Sequence, residues 1–186
     1  MQEFIRNGFE KASTNEIVKV AEISKGSLFN YFNNKKDLYL FLFDCGIEIS
    51  DEIFEEMDWT DTDIFHRWRE GTVIKFEKMK KYPELFNFLK AVMEEESTEV
   101  KSDIGNKVKH FSGKSFEKMY ANIDLTKFRD DIDVEKTINI MQWTLEGFSE
   151  RERLKQKALS IEEVNWEEMI KELDQYLDLM KRCFYK

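Results

Sequence analysis

"STNEIVKVAEISKGSLFNYFNNKKDL", residues 13–38, places two short helical patterns and a tight corner in 26 residues near the start of the chain. Ser13, followed three residues later by Glu16, has the spacing of a capping box and predicts a helix that begins here. "EIS" interrupts that helix after about two turns, and Ser24 predicts the cap of a second short helix, "KGSLFNYF". The stretch therefore predicts two brief helices joined by a tight corner.

A longer helix is predicted to follow, because Asn34 with Asp37 three residues later forms another cap with an acidic first turn. Upstream, Gly8 predicts a left-handed helix end. Helices of two turns are marginal in water on their own, so the two short helices need a shared apolar core. The predicted core residues are Phe9, Ile17, Val20, Ile23, Leu28 and Phe32.

Two short helices at this spacing predict a helix-turn-helix, in which the second helix lies in the major groove of DNA. Unpaired backbone amides at the helix starts are natural phosphate sites. By spacing alone, an ordinary helical corner with a solvated polar face is an equally good interpretation.

The composition of the whole chain predicts an all-α protein, since 186 residues contain one proline and seven glycines and leave little material for strands and turns. The formal net charge is -9, yet residues 1–40 carry +1 and the remainder -10. An acidic body and a locally basic head can coexist because salt screens distant charges. No membrane span and no signal peptide are visible, and we expect a cytoplasmic protein with reduced Cys45 and Cys183.

The sequence gives no support for an enzyme. His66 and His110 are the only histidines, and neither stands one helical turn from another His or Cys, so no metal pair is predicted. A glycine-rich phosphate loop, a nucleophile elbow and a Cys-x-x-Cys motif are all lacking. We therefore expect no catalytic site, no metal and no cofactor.

The start of the chain resembles the DNA-binding head of the tetracycline-repressor (TetR) family of bacterial transcription regulators. The resemblance is carried by "NGFEKAS", "SKGSLFNYF" and "NKKDL", and it covers about residues 4–45. It implies a three-helix helix-turn-helix DNA-binding domain over 1–38, joined to a larger helical ligand-binding and dimerisation domain over 39–186.

The resemblance also implies roles for individual residues of the head. The start of the first short helix is expected to touch phosphate or a base, and the second short helix to reach base edges and backbone. A lysine at the start of the long helix is expected to anchor a phosphate. The expected DNA contacts are Thr14, Asn15, Lys25, Gly26, Ser27, Asn30, Tyr31 and Lys35.

Three residues depart from the family pattern. Glu22 stands where the family has a corner glycine, so either the corner is not left-handed or Glu22 bears a conformational cost. Phe29 replaces a tyrosine and removes a phenol-to-phosphate bond, and Val18 replaces an alanine. These departures leave a second interpretation open, in which a degenerate family member binds a ligand or partner without reading DNA.

The beginning of the chain departs from the family as well. The family's first helix starts further upstream with a basic tail, whereas "MQEFIR" begins in mid-pattern. Either the true start lies upstream or the first helix is clipped. A head of only +1 predicts weak operator binding that salt easily abolishes.

The last two predicted helices, about 133–158 and 164–184, are apolar on two sides, and a helix of that kind must bury both. One side suits the chain's own core and the other a four-helix seam in a homodimer, as the family implies; a monomer with a wide core is the alternative. The second stripe comprises Ile140, Trp143 and Gly147 on the first helix and Met169, Tyr176, Leu179 and Cys183 on the second.

The body is rich in aromatic residues, with most of the chain's sixteen Phe and four Trp. Singly each suits a core, but the family implies a cavity for a small, mostly apolar effector. We expect Trp68, Phe86, Phe111 and Trp143 in its wall. The predicted protein is thus a repressor that binds a palindromic double-stranded DNA operator as a dimer and is released when an effector tilts the long helix that begins at Lys35.

Overall fold

The computed structural model describes residues 1–156 and 159–186, with the side chain of Phe116 outside the described set. Residues 157–158 of the predicted penultimate helix therefore lie outside the described residues. The described chain forms nine α-helices and two short 3-10 turns, Leu125–Lys127 and Ile161–Glu163, which confirms the predicted all-α class. The helices are α1 Gln2–Lys11, α2 Thr14–Val20, α3 Lys25–Tyr31, α4 Lys35–Glu56, α5 Ile64–Lys81, α6 Pro83–Met93, α7 Thr98–Tyr120, α8 Val134–Lys155 and α9 Trp166–Phe184.

Helix α1 is interrupted at Gly8, which has φ 68° and ψ 174°. Only glycine adopts this conformation without strain, and the predicted positive φ is confirmed. The value of ψ lies outside the left-handed helical region, and the helix resumes after a break at this residue. A new turn begins after the break, since the Ala12 N–H donates to the Gly8 carbonyl oxygen at 3.2 Å. The break allows Phe4 and Phe9, one on each side of it, both to be buried, with their rings stacked at 6.5 Å.

Two of the three predicted caps are confirmed. The Ser24 hydroxyl accepts the Ser27 N–H at 2.9 Å, and the Asn34 side chain accepts the Asp37 N–H at 2.9 Å.

The capping box predicted at Ser13 is wrong, because its hydroxyl makes no cap bond in the described chain. The Ser13 N–H instead donates to the Glu3 carboxylate at 3.0 Å, and Glu16 pairs with Lys19 on the helix surface at 3.8 Å.

The predicted core of the head is partly wrong. Val20 is 76% exposed and Ile23 is 44% exposed, whereas Val18 and Leu28 are buried. Val18 and Val20 lie about 200° apart around the helix, so only one of them can face the core. Ile23 directly follows the corner at Glu22, which has a φ of 54°.

The first compact unit comprises residues 1–52 and 81–115. Helix α1 packs against α6, and the Tyr39 ring of α4 contacts both, with its centroid 4.9 Å from that of Phe4 and 5.2 Å from that of Phe88. The predicted domain boundary after residue 38 stays a prediction.

The second compact unit comprises residues 53–80 and 116–186. Its core lies along α8 and α9, where Met141, Leu173 and Leu177 are buried. The predicted second stripe is exposed only in part: Trp143 is 66% exposed and Leu179 is 52% exposed. The prediction is wrong for Met169 and Tyr176, which pack against the core of this unit.

Two buried polar residues organise the second unit. The Arg67 guanidinium, 1% exposed, donates to the carbonyl oxygens of Trp59, Asp61, Met119 and Ala121 at 2.6–3.3 Å. It thereby joins the start of α5 to the end of α7.

Asp63 caps α5 by accepting the Phe65 N–H at 3.0 Å. Its other oxygen accepts a hydrogen bond from Lys181 at 2.9 Å, and the Tyr185 hydroxyl lies 3.4 Å from its first oxygen. The carboxylate therefore ties the end of the chain to the start of α5.

Candidate nucleic-acid interface

Helix α3 presents a polar rod to solvent. Leu28, on its opposite side, is buried and fixes the helix to the core of the head. Tyr31 is 85% exposed. All five residues that we expected to contact DNA from this helix are exposed: Lys25, Gly26, Ser27, Asn30 and Tyr31.

The start of α3 is capped by Ser24. Besides accepting the Ser27 N–H, the Ser24 oxygen lies 2.8 Å from the Ser27 hydroxyl oxygen. At Gly26 an added Cβ would meet nothing closer than Ser24 Oγ at 3.7 Å, so packing within the chain does not demand a glycine. A residue without a side chain at this point leaves the backbone open to close approach from outside.

Phe29 stands on α3 where the family pattern has a tyrosine, and it is 37% exposed. The Lys25 ammonium lies 6.0 Å from its ring centroid, within range of a weak cation–π contact. The phenylalanine thus contacts the neighbouring lysine even though it has no hydroxyl of its own.

Helix α2 begins at Thr14, and its first backbone N–H groups have no partner within the helix. Thr14 is half-buried and Asn15 is exposed at this end. Both predicted contact residues therefore lie at an amide-rich helix start, and their contact with DNA stays a prediction.

Lys35 has a role that the sequence did not indicate. Its ammonium donates to the carbonyl oxygens of Glu10 at 2.9 Å and Ala12 at 3.2 Å, and it lies 4.7 Å from the Phe9 ring centroid. Lys35 thereby satisfies the last carbonyls of α1. An ammonium has three protons, so one N–H is left over beyond these two bonds, and the predicted phosphate contact stays a prediction.

The local positive potential of the head is modest. The Lys36 ammonium pairs with Asp103 of α7 at 2.7 Å, and this hydrogen bond raises the pKa of Lys36 above its ordinary value. Together with Lys35 and with Lys19, which pairs with Glu16, three of the six basic residues in 1–40 are engaged within the protein.

The corner between α2 and α3 is left-handed at Glu22, with φ 54°. The sequence left two interpretations open, and the structure selects the one in which Glu22 bears the conformational cost. A left-handed conformation in a non-glycine residue costs about 1 kcal/mol.

The four residues expected in an effector cavity fall in both units. Phe86 is buried on α6 and Phe111 is half-buried on α7, both in the first unit. Trp68 is half-buried on α5 in the second unit, whereas Trp143 of α8 is exposed. The expected cavity stays a prediction.

The surroundings of Trp68 were not foreseen. Its ring centroid lies 6.3 Å from that of Tyr120 in an edge-to-face contact, and the Trp68 indole nitrogen and the Tyr120 hydroxyl oxygen are both shielded from solvent. Burial raises the pKa of Tyr120 to about 12. Two polar atoms thus lie within an otherwise apolar cluster that includes Phe54 and Ile74.

Among the described residues, no group of three or more acidic, His or Cys side chains is arranged to hold a metal ion. Cys45 and Cys183 are free thiols. No helix in the described ranges combines the length and the apolar character needed to cross a membrane.

Comparison with known proteins agrees with the geometry of the head. Residues 1–41 match the family model of bacterial regulatory proteins, tetR family. The HTH-type transcriptional regulator QacR of Staphylococcus aureus is 49% identical over 37 residues, which are 20% of this chain and 20% of that protein. The match thus spans a fifth of this curated relative.

Two solved structures resemble the whole chain. A TetR family transcriptional regulator from Chloroflexus aurantiacus has a TM-score of 0.60 at 20% identity, covering 100% of this chain and 89% of the other. The fatty acid degradation regulator FadR from Bacillus halodurans has a TM-score of 0.68 at 20% identity, covering 95% and 92%. At this identity the likeness extends to the fold of the body and no further.

Proposed function

We propose that this chain, a member of the TetR family of bacterial transcription regulators, represses transcription as an effector-responsive homodimer on a palindromic operator. The observation that carries the proposal is the α3 rod, whose capped start and five exposed residues face solvent on one side while Leu28 anchors the other. This is the arrangement that a recognition helix needs in order to enter a major groove.

In the proposed complex the DNA-contacting residues of α3, α2 and α4 have different roles. Lys25, Asn30 and Tyr31 carry donors for phosphates and base edges, and Gly26 permits close approach of the backbone. Thr14 and Asn15 at the start of α2 add phosphate contacts through hydroxyl, amide and backbone N–H groups. Lys35 serves chiefly to hold α1, and its remaining N–H supplies a weaker phosphate contact.

The homodimer is supported by the exposed apolar stripe of α8 and α9. Met141 and Leu145 are buried on one side of α8, while Ile140, Trp143 and Leu154 are exposed. A monomer rarely leaves an indole this exposed beside other apolar side chains. A two-fold seam of α8 and α9 buries the stripe. Dimeric helix-turn-helix proteins read half-sites about 34–36 Å apart, or a multiple of that spacing.

Effector binding is supported by the pair formed by Trp68 and Tyr120 on α5 and α7. The two rings pack edge to face within an apolar cluster, and predominantly apolar, aromatic surroundings are typical of small-molecule sites. A small, mostly apolar molecule fits this chemistry. A shift from 1:99 to 99:1 between two states of the protein requires about 5.5 kcal/mol of preferential binding.

The second candidate is a family member that binds a ligand or partner without reading DNA. The strained Glu22 corner, the phenylalanine at Phe29 and the engagement of Lys35 and Lys36 within the protein favour this alternative. The first candidate predicts that one palindromic sequence is enriched from a pool of random DNA, and the second predicts no such enrichment.

Selection of random double-stranded DNA on the purified full chain at low salt tests the proposal. We expect the unsubstituted chain to enrich a palindrome. The enrichment should be lost when Lys25 and Tyr31 are both replaced by alanine, and it should be retained in Lys171→Ala, which alters an exposed lysine of α9. Enrichment of sequences without a palindrome contradicts the proposal and favours the second candidate. Equal recovery of random duplexes by the unsubstituted chain, the double variant and Lys171→Ala does the same.

A further inference from the structure

The last turn of α1, Phe9–Ala12, is held by a carboxylate that is distant in sequence. Gly8 breaks the helix, and the Phe9 N–H opens the turn that follows. It donates instead to an oxygen of Glu95 at 2.7 Å, although the two residues are 86 positions apart. A carboxylate at a helix start forms a strong, charge-assisted hydrogen bond.

The second oxygen of Glu95 holds another helix start. It accepts the N–H of Ser97 at 2.9 Å, and the Ser97 carbonyl in turn accepts the first bonds of α7 from Val100 and Lys101. The Glu95 N–H donates to the Val92 carbonyl oxygen at the end of α6. One side chain therefore joins α1 to the connection between α6 and α7.

The opposite end of the same turn is held by Lys35. Glu95 binds the first N–H of the turn, while the Lys35 ammonium binds the carbonyl oxygens of Glu10 and Ala12. The Phe9 side chain between them is 1% exposed and makes an edge-to-face contact with Tyr39 at 5.2 Å. Lys35 is the first residue of α4, which begins shortly after α3 ends at Tyr31, so the turn connects Glu95 to the start of α4.

We propose that Glu95 is a positioning residue for the DNA-binding head, acting through the Phe9–Ala12 turn and Lys35. The inference rests on the proposed function, in which the placement of α3 decides operator binding. A displacement of the start of α7 moves Ser97, and because Glu95 bonds both Ser97 and Phe9, the displacement reaches α1 directly. This connection is additional to the long helix α4.

Hydrogen exchange of the full chain, followed by mass spectrometry on peptides that cover residues 9–12 and 25–31, tests the proposal without DNA. We expect Glu95→Ala to accelerate exchange roughly tenfold in both peptides, because a charge-assisted bond to a half-buried amide is lost. Glu95→Gln retains a carbonyl oxygen that can accept the Phe9 N–H, and we expect it to restore most of the protection.

Two controls separate positioning from general destabilisation. Glu96→Ala removes the neighbouring exposed carboxylate, which pairs with Lys101, and should leave both peptides unchanged. Ile104→Ala removes core volume from the same unit without altering the bonds at Phe9. Ile104→Ala and Glu95→Ala are compared at temperatures where the two variants are equally stable. There, Ile104→Ala should not selectively accelerate the hydrogen exchange of residues 9–12.

Unchanged exchange of residues 9–12 in Glu95→Ala overturns the proposal, as does equal acceleration in Ile104→Ala or a lack of rescue by Glu95→Gln. Acceleration confined to residues 9–12, with residues 25–31 unchanged, also overturns it. A failure of the proposed function gives a different result: the unsubstituted chain selects no operator from random DNA. Where an operator is obtained, Glu95→Ala should weaken its binding several-fold and Glu96→Ala should not.

Discussion

The ammonium of Lys35 donates to the backbone carbonyl of Glu10 over 2.9 Å. The first residue of α4 thus closes the last turn of α1, and it does so while lying over the ring of Phe9. A lysine at the start of a helix is electrostatically unfavourable for that helix, but here it neutralises the carbonyl end of another. The Lys35 ammonium therefore has a structural role in the head, because it joins the start of α4 to the end of α1.

Substitution of Lys35 by methionine should lower the free energy of unfolding by about 1.5 kcal/mol, because two carbonyls lose a charged donor while the apolar stem is retained. Urea denaturation measures the change. Lys25→Met on the exposed face of α3 is the matched control, expected to stay within about 0.5 kcal/mol of the parent. Equal stability losses in the two variants would contradict a structural role for Lys35.

The left-handed corner gives a stabilising prediction. Glu22 has φ 54° and is exposed, so glycine at this position relieves the strain without removing packing. We expect Glu22→Gly to raise the free energy of unfolding by about 0.5–1 kcal/mol. Glu16→Gly, within α2, should lower it by a similar amount, and a destabilised Glu22→Gly would show that the Glu22 side chain makes compensating contacts.

The buried guanidinium of Arg67 is predicted to be the most sensitive position of the second unit. Arg67→Met leaves four carbonyl oxygens without their donor and should cost about 3 kcal/mol or more. Arg69→Met, two residues along the same helix, removes an exposed pair with Asp174 at 2.9 Å and should cost less than about 1 kcal/mol. Thermal and urea unfolding of the two variants test the contrast, which fails if the two losses are alike.

Asp63 should make the free energy of unfolding depend on pH in the acidic range. Burial opposes the charged form of Asp63, but the hydrogen bond from Lys181 and the charges of His66 and Lys181 outweigh it and lower the pKa of Asp63. A carboxyl whose pKa is lower in the folded state contributes stability that is present above its unfolded pKa of about 3.9. That contribution is lost as the pH falls through the folded pKa.

Unfolding by urea between pH 7 and pH 3 measures this dependence. The difference in unfolding free energy between the parent chain and Asp63→Asn should be largest at pH 7 and shrink below about pH 4. Asp130→Asn, at a carboxylate 90% exposed and paired with Lys186, serves as the control with a small effect throughout. A difference for Asp63→Asn that stays constant to pH 3 excludes the proposed contribution.

Local chemistry made much of the helix pattern predictable from sequence. Ser24 and Asn34 cap helices where expected. Such caps depend on residues three or four apart, so the sequence itself contains both partners.

Facing directions within short helices were less predictable. Val18 and Val20 are equally apolar, and a helix of two turns offers too few positions for periodicity to choose between them. The choice depends on which side α1 and α4 cover, which is a property of the folded chain.

The residues that hold each compact unit together lie beyond the reach of local patterns. Glu95 and Phe9 are 86 positions apart, and Arg67 and Met119 are 52 positions apart. In the sequence Glu95 belongs to an acidic run that suggests a solvated helix face, and Lys35 has the position of a phosphate anchor. Their observed partners are backbone groups, which no side-chain motif reveals.

Sedimentation of the full chain with its selected duplex tests the central claim most directly, because that claim requires two exposed α3 helices on one piece of DNA. We predict a complex of two chains per palindromic duplex at low salt, dissociated by added salt and absent when Lys25 and Tyr31 are both replaced by alanine. A complex of one chain per duplex, or one that the double substitution leaves intact, would contradict the account.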